Sequence, residues 1–406
     1  MKLALVVLAA FSLSMGAAEA RTFHIRPGPS AQTDLQTALI NARPGDTVQL
    51  ARGRFDLTAG LSLEVDRVSV RGEGQDKSIL SFANQTRGAE GLLVTSSGVE
   101  LRDFAVENAK GDAIKVRDCH GVTFRGVRAE WTRGPNTQNG AYGLYPVNCD
   151  NVLIQDSIAR GASDAGIYVG QSRNIIIRDS TAEYNVAGIE VENSFNADVF
   201  GNTATHNAGG ILVFDLPGLP QHGGHSIRVF RNHIIANDTA NFAPPGNTVA
   251  SVPTGTGVLI MANRDVHVFE NVIGENGTAN VIITAYRNSV ADPSYNALPR
   301  DIMIRNNQFG RSGFAPTGDL AALAQAGVHL PDVLWDGATT YIAGGTPHQD
   351  IVHIVMKDNR DAARGPGSFL SLGVPVAGSD LSEAQPDPTP PPILALPEPA
   401  KVEIRN

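Results

Sequence analysis

Gly166-Ile-Tyr-Val-Gly-Gln-Ser-Arg-Asn-Ile-Ile-Ile-Arg-Asp-Ser180 is the stretch that decides the fold. It holds an alternating strand, a polar turn and a second β-like run. Gly188-Ile-Glu-Val-Glu-Asn-Ser-Phe-Asn-Ala follows in the same pattern. Ala113-Ile-Lys-Val-Arg-Asp-Cys-His-Gly-Val and Gly143-Leu-Tyr-Pro-Val-Asn-Cys-Asp-Asn-Val precede it. Later copies begin at Gly210, Gly257 and Asn280. The starts at 143, 166, 188 and 210 lie 23, 22 and 22 residues apart. A fixed period in this range marks a solenoid. Period-two alternation marks strands rather than helices. A coil of this length in short strands is one turn of a parallel β-helix.

Turns stacked about 4.8 Å apart bring equivalent residues into columns. Ile114, Leu144, Ile167, Ile189, Ile211, Val258 and Val281 form one inward column. Val116, Pro146, Val169, Val191, Val213, Ile260 and Ile283 form its neighbour. Ser157, Ser180, Asn202, Asn232, Asn271 and Asn306 share a third position, and Asn185, Asn207, Asn237 and Asn276 a fourth. Stacked Asn side chains bond up and down such a column and satisfy the corners. Cys119 and Cys149 occupy one column in consecutive turns, continued by Ser172 and Ser194. Their Cα atoms should lie within disulfide range, which predicts a Cys119–Cys149 bond.

Composition agrees with this reading. The 406 residues carry 42 glycines and 24 prolines, are only 18% charged and have a formal charge of −9. That balance argues against a general nucleic-acid binder and against disorder. Met1 to Ala20 reads as a cleaved export signal, with Lys2, an apolar run from Leu3 to Met15, and Ala18-Glu19-Ala20. The apolar run is too short to span a bilayer. The expectation is a periplasmic or extracellular protein with no membrane contact after cleavage, in a compartment where disulfides persist. The chain divides into the signal (1–20), an N-terminal cap and first strands (21–64), coils (65–310), a C-terminal cap segment (311–380) and a Pro-rich tail (381–406). Leu35, Ala38 and Leu39 place a short amphipathic helix in the first cap, and 318–326 suggests a second helix.

These features resemble the right-handed parallel β-helix superfamily, which includes pectate-lyase-like enzymes and carbohydrate-binding and sugar-hydrolase repeat domains. Leu35-Gln-Thr-Ala-Leu with Pro44-Gly-Asp-Thr-Val is similar to its usual cap and first strand. Gly209-Gly-Ile-Leu-Val-Phe-Asp-Leu-Pro-Gly-Leu-Pro, with Asn241-Phe-Ala-Pro and Val252-Pro-Thr-Gly-Thr-Gly-Val, resembles a narrower group of secreted bacterial β-helix repeat proteins. The likeness implies an all-β solenoid whose ligands lie along the outward face of the first parallel sheet.

Period two places Lys115, Tyr145, Tyr168, Glu190, Leu212, Leu259 and Ile282 in one outward column. Arg117, Val147, Gly170, Glu192, Phe214, Met261 and Thr284 form the next, and Asp118, Asn148, Gln171, Asn193 and Asp215 a third at the strand exit. The early turns thus present a mixed strip and the later turns an apolar one. Lys115, Arg117, Tyr145, Tyr168, Asn193 and His206 are candidate polysaccharide contacts, because Tyr faces stack on sugar rings and charged groups bond hydroxyls or carboxylates. Several chemistries fit. Glu190 and Glu192, with Cα atoms about 6.7 Å apart, suit a hydrolase acid pair. Tyr168 or His206 suits proton abstraction beside a uronate, as in a lyase or epimerase. Asp215 is a further candidate. The bland alternative is a solvated strand face with cross-strand ion pairs. A non-catalytic scaffold or metal-handling accessory role is the third reading. His222-Gly-Gly-His225, with Asp215 and His206, is a divalent-metal candidate, and the sequence requires no cofactor.

Overall fold

The computed structural model describes residues 19–404, so the export-signal reading falls, except for its last two residues, outside the described residues. Successive turns stack in parallel register. Ile114 pairs with Leu144, Leu144 with Ile167, Ile167 with Ile189 and Ile189 with Ile211. The column continues through Val258 to Val281, and its members are fully buried. Each coil has three faces. In one turn these are Ala165–Gly170, Arg173–Arg178 and Thr181–Glu183, and in the next Ala187–Glu192, Phe195–Phe200 and Thr203–Thr205.

The corner between the first two faces is made by Asp118, Asn148, Gln171 and Asn193, whose φ values of 57°, 52°, 49° and 48° are left-handed. Asn and Asp tolerate this conformation better than most residues. The strand-exit column is therefore a bend, not an outward row.

Two Asn ladders run through the interior corners. Asn232 Nδ2 donates to Val199 O (2.9 Å) and to Asn271 Oδ1 (3.0 Å), while Asn202 N donates to Asn232 Oδ1 (3.0 Å). The next rung is Asn307, whose Oδ1 accepts from Asn271 N at 3.1 Å, rather than the expected Asn306. Asn306 takes the left-handed bend one residue earlier (φ 53°). The second ladder links Asn185, Asn207, Asn237 and Asn276. It also explains the glycines at 166, 188, 210 and 257, each of which faces a ladder asparagine. A Cβ on Gly188 would sit 2.7 Å from Asn207 Nδ2 and 2.6 Å from Gly210 O. Cys119 and Cys149 pair across adjacent turns as a disulfide, with Cα atoms 4.5 Å apart.

Helix α1 (Ala31–Asn41) caps the first coils with Ala31, Leu35, Ala38 and Leu39 buried. At the far end the coil continues beyond 310. Val333–Trp335 and Phe369–Ser371 extend the first face, and Ile354–Lys357 the second. Long insertions separate these short strands and hide the period. Helix α2 (Asp319–Gln325) lies in one of them. The tail packs extended on the second face, where Glu398 bridges Arg228 (2.8 Å) and Arg305 (2.5 Å). No helix among the described residues is long and apolar enough to cross a membrane.

Candidate functional site

The outward columns of the first face are in the expected register. Lys115 pairs with Tyr145, Tyr168 with Glu190, and Gly170 with Glu192. Their burial differs from the expected open strip. Tyr168 is 4% exposed, Glu190 1% and Glu192 8%. A long-range cover adds to the packing of Tyr168 over Gly170 and Glu192. Segment 238–255 lies across this face, with Val249 and Val252 packed in one apolar cluster with Ala165, Ala187 and Ala208. Asn247 Nδ2 reaches Asp164 Oδ2 at 3.3 Å.

Beneath the cover is a cluster of acids and phenols. Tyr168 Oη donates to Glu192 Oε1 at 2.6 Å, and Tyr142 Oη to Asp164 Oδ2 at 3.3 Å. The ring of Tyr168 reaches Glu192 by lying over Gly170, where a Cβ would meet its Cε1 and Oη at 2.4 Å. Tyr142, Tyr145 and Tyr168 form a mutual aromatic group with centroids 4.4 to 5.0 Å apart. Burial raises the Glu190 carboxyl well above its usual range, assisted by the neighbouring Asp164 and Glu192 carboxylates, and its Oε2 is buried without a hydrogen-bond partner. Burial also raises Glu192. Asp164 is pushed up to about 7 by burial and then by Glu192, and Asp112 to about 6, chiefly by burial. Desolvation disfavours the charged form of each. The phenol of Tyr145 is raised to about 12 by burial and stays protonated at neutral pH.

The accessible edge of this cluster faces the early coils. Lys115 Nζ lies 4.7 Å above the Tyr145 ring and 3.8 Å from Asp112. Arg117 is half-exposed and pairs with Asp118 at 3.2 Å. Sequence reasoning missed Asp112, Asp164, Tyr142 and Asn247. Tyr142 was within reach, since it pairs with Ala165, which pairs with Ala187, in one further column. Asn247 gives no local signal because its insertion folds back from a later turn.

Other candidates lie apart or serve the fold. His206 sits at the corner after Thr203–Thr205, stacked on Tyr184 (5.2 Å) and bonded to Asp238 (2.8 Å), so it does not face the first-sheet strip. The amide of Asn193 is used by Leu216 and Gln221, which pin the insertion that follows Phe214. The Asp215 carboxylate accepts from Gly223 N and Gly224 N (3.0 and 2.8 Å) and closes that loop. His222 is exposed, and His225 stacks on Phe195 (4.5 Å). Asp215, His206, His222 and His225 are therefore not assembled into a ligand set, and no group of three or more His, Cys, Asp or Glu side chains among the described residues is arranged to hold a metal. Trp131 is core, donating its indole N–H to Ala109 O at 2.7 Å.

Residues 136–309 match the family model described as a right handed beta helix region. No curated protein matches. Among solved structures, the chain is similar to the A-module of the Azotobacter vinelandii mannuronan C-5 epimerase AlgE4, with TM-score 0.51 and 14% identity over 86% of this chain and 96% of that one. It is also similar to a tailspike protein double mutant of E. coli bacteriophage HK620 in complex with pentasaccharide, with TM-score 0.51 and 11% identity over 83% of this chain and 59% of that one. At such identities the likeness is one of fold. Register, burial and these matches together make the chain a right-handed parallel β-helix protein.

Proposed function

We propose that this chain is an extracytoplasmic protein that binds a polysaccharide on the early-coil part of its first-sheet outward face. One observation carries the reading. The mid part of that face is covered by segment 238–255, and its partly exposed remainder carries Lys115 set over Tyr145 beside Asp112. A cation held over an aromatic ring with a carboxyl beside it suits the hydroxyl or carboxylate substituents of a sugar. The two similar folds support the class, being by their names an epimerase of mannuronan and a tailspike holding a pentasaccharide. The Cys119–Cys149 bond fits an oxidising compartment.

Catalysis is the second reading. It is favoured by Asp164 and Asp112, whose carboxyls titrate near 7 and 6 on the same face, close to the value suited to a general acid or base. Glu190, 1% exposed, is less suited to it, since no part of its carboxyl reaches a substrate. The test is a panel of neutral and acidic polysaccharides, recording retention and products. Retention that falls in Lys115→Ala and Tyr145→Ala supports the binding site. Products that disappear in Asp164→Asn add the enzyme. Neither retention nor products for any glycan would refute the carbohydrate reading.

A further inference from the structure

The apolar later columns do not close fully against their cover. A cavity of about 550 Å³ remains between the first face and the C-terminal segments. Its floor is Leu259, Met261, Ile282 and Leu334, and Leu320 of α2 and Val374 line it from above. The volume falls within the range of small-molecule sites, about 300 to 1,000 Å³.

The polar groups lining its depth are already engaged. Asp336 accepts from Ala285 N (2.7 Å), Thr284 Oγ1 (2.9 Å) and Ala338 N (3.1 Å). Asn241 donates to Val249 O and Val252 O and accepts from Ala243 N. A ligand there gains nothing from polar atoms and would leave its own unpaired, at a cost that selects an apolar body. The mouth differs. Arg287 is half-exposed there, and among the described residues its guanidinium makes one side-chain hydrogen bond, Nη1 to Asp319 Oδ2 at 2.9 Å. A guanidinium has five N–H donors, so Asp319 does not exhaust them, although Asp336 and Asp380 also lie in its field.

We propose that this cavity binds a single-chain amphiphile, its aliphatic body over Met261 and Ile282 and its carboxylate head on Arg287. The site stands independently of the polysaccharide reading and on different coils.

The test uses the full chain and two probes, dodecanoate and dodecanol, each displacing a dansyl-labelled fatty acid followed by fluorescence. Saturable one-site binding is expected. Met261→Trp and, separately, Ile282→Phe fill the floor and should abolish binding of both probes, with circular dichroism verifying the fold. Arg287→Ala should weaken dodecanoate roughly tenfold, the worth of one charge-assisted hydrogen bond, and leave dodecanol unchanged. Asp319→Asn should tighten dodecanoate by removing the neighbouring like charge. Unsaturable binding, undiminished binding in both folded floor variants, or equal losses for the two probes in Arg287→Ala would overturn the proposal. Polysaccharide retention by the floor variants reads the other site separately.

Discussion

Gly188→Ala adds one methyl group to a strand, which in an unconstrained position stabilises by about 0.4–1 kcal/mol through the unfolded chain. Here the sign should reverse. The new Cβ would lie 2.6 Å from Gly210 O and 2.7 Å from Asn207 Nδ2, and both neighbours are buried. Relief requires moving the next coil or swinging the Asn207 amide. That amide donates to Ala182 O (2.9 Å) and Asn237 Oδ1 (3.1 Å), and its oxygen accepts from Asn185 N and Nδ2 (both 3.0 Å). Overpacking costs about 1–3 kcal/mol, and a buried polar group left unpaired about 1–3 kcal/mol more. Against the entropic gain, the net loss should be about 1–6 kcal/mol. Urea unfolding followed by circular dichroism measures it, with an unchanged slope as the check that the same surface unfolds. Gln138→Ala, an exposed position, is the control and should stay within about 0.5 kcal/mol. In an Asn207→Ala background the Gly188→Ala loss should shrink, since one of its two clashes is gone. A neutral or stabilising Gly188→Ala would refute the claim that the ladder dictates the glycine.

Three further outcomes follow from the geometry. Gly170→Ala should displace the Tyr168 ring, break its bond to Glu192 and lower stability by about 1–3 kcal/mol; in a Tyr168→Ala background thermal melting should show the added cost vanish. Asp164 and Asp112 have folded pKa values of about 7 and about 6 against an ordinary 3.8, so the folded state holds more protons in that window. Their contribution should be present below about pH 4 and lost as pH rises through 6 to 7, by a few kcal/mol, and Asp164→Asn should flatten the measured stability–pH slope. Reducing the Cys119–Cys149 bond, whose partners are 30 residues apart, should cost about 2–4 kcal/mol in denaturant titrations with and without reductant.

Much of the fold was legible because a solenoid repeats its physics. Ile167, Ile189 and Ile211 meet the same environment in successive turns, so one alignment reveals an inward column, and Cys119 above Cys149 gives the disulfide. The slip from Asn307 to Asn306 arose where two asparagines adjoin and only backbone curvature chooses between them. The coils after 310 escaped because strands as short as Val333–Trp335 lie far from their partners in sequence, and the spacing no longer repeats. At the site, columns identified which residues share the face, but not what covers it. Glu190 and Glu192 look solvated from their own turn. Tyr168 folds over Gly170 onto Glu192, and Val249, Val252 and Asn247 return onto the neighbouring columns from an insertion some sixty residues later, whose path no local pattern encodes. His206 was misplaced because it follows the third strand of its coil, beyond the reach of first-face alternation.

The central claim is that the early-coil edge of the first face holds a sugar chain. The most direct measurement is calorimetric titration of the polysaccharide best retained in the panel into the wild-type chain, Tyr145→Ala and Tyr184→Ala. Tyr184 is exposed but stacks at a different corner, on His206. About tenfold or greater weakening is expected for Tyr145→Ala, where the ring that holds Lys115 in place is lost, and wild-type affinity for Tyr184→Ala. Equal affinity in all three chains, or a loss confined to Tyr184→Ala, would contradict it.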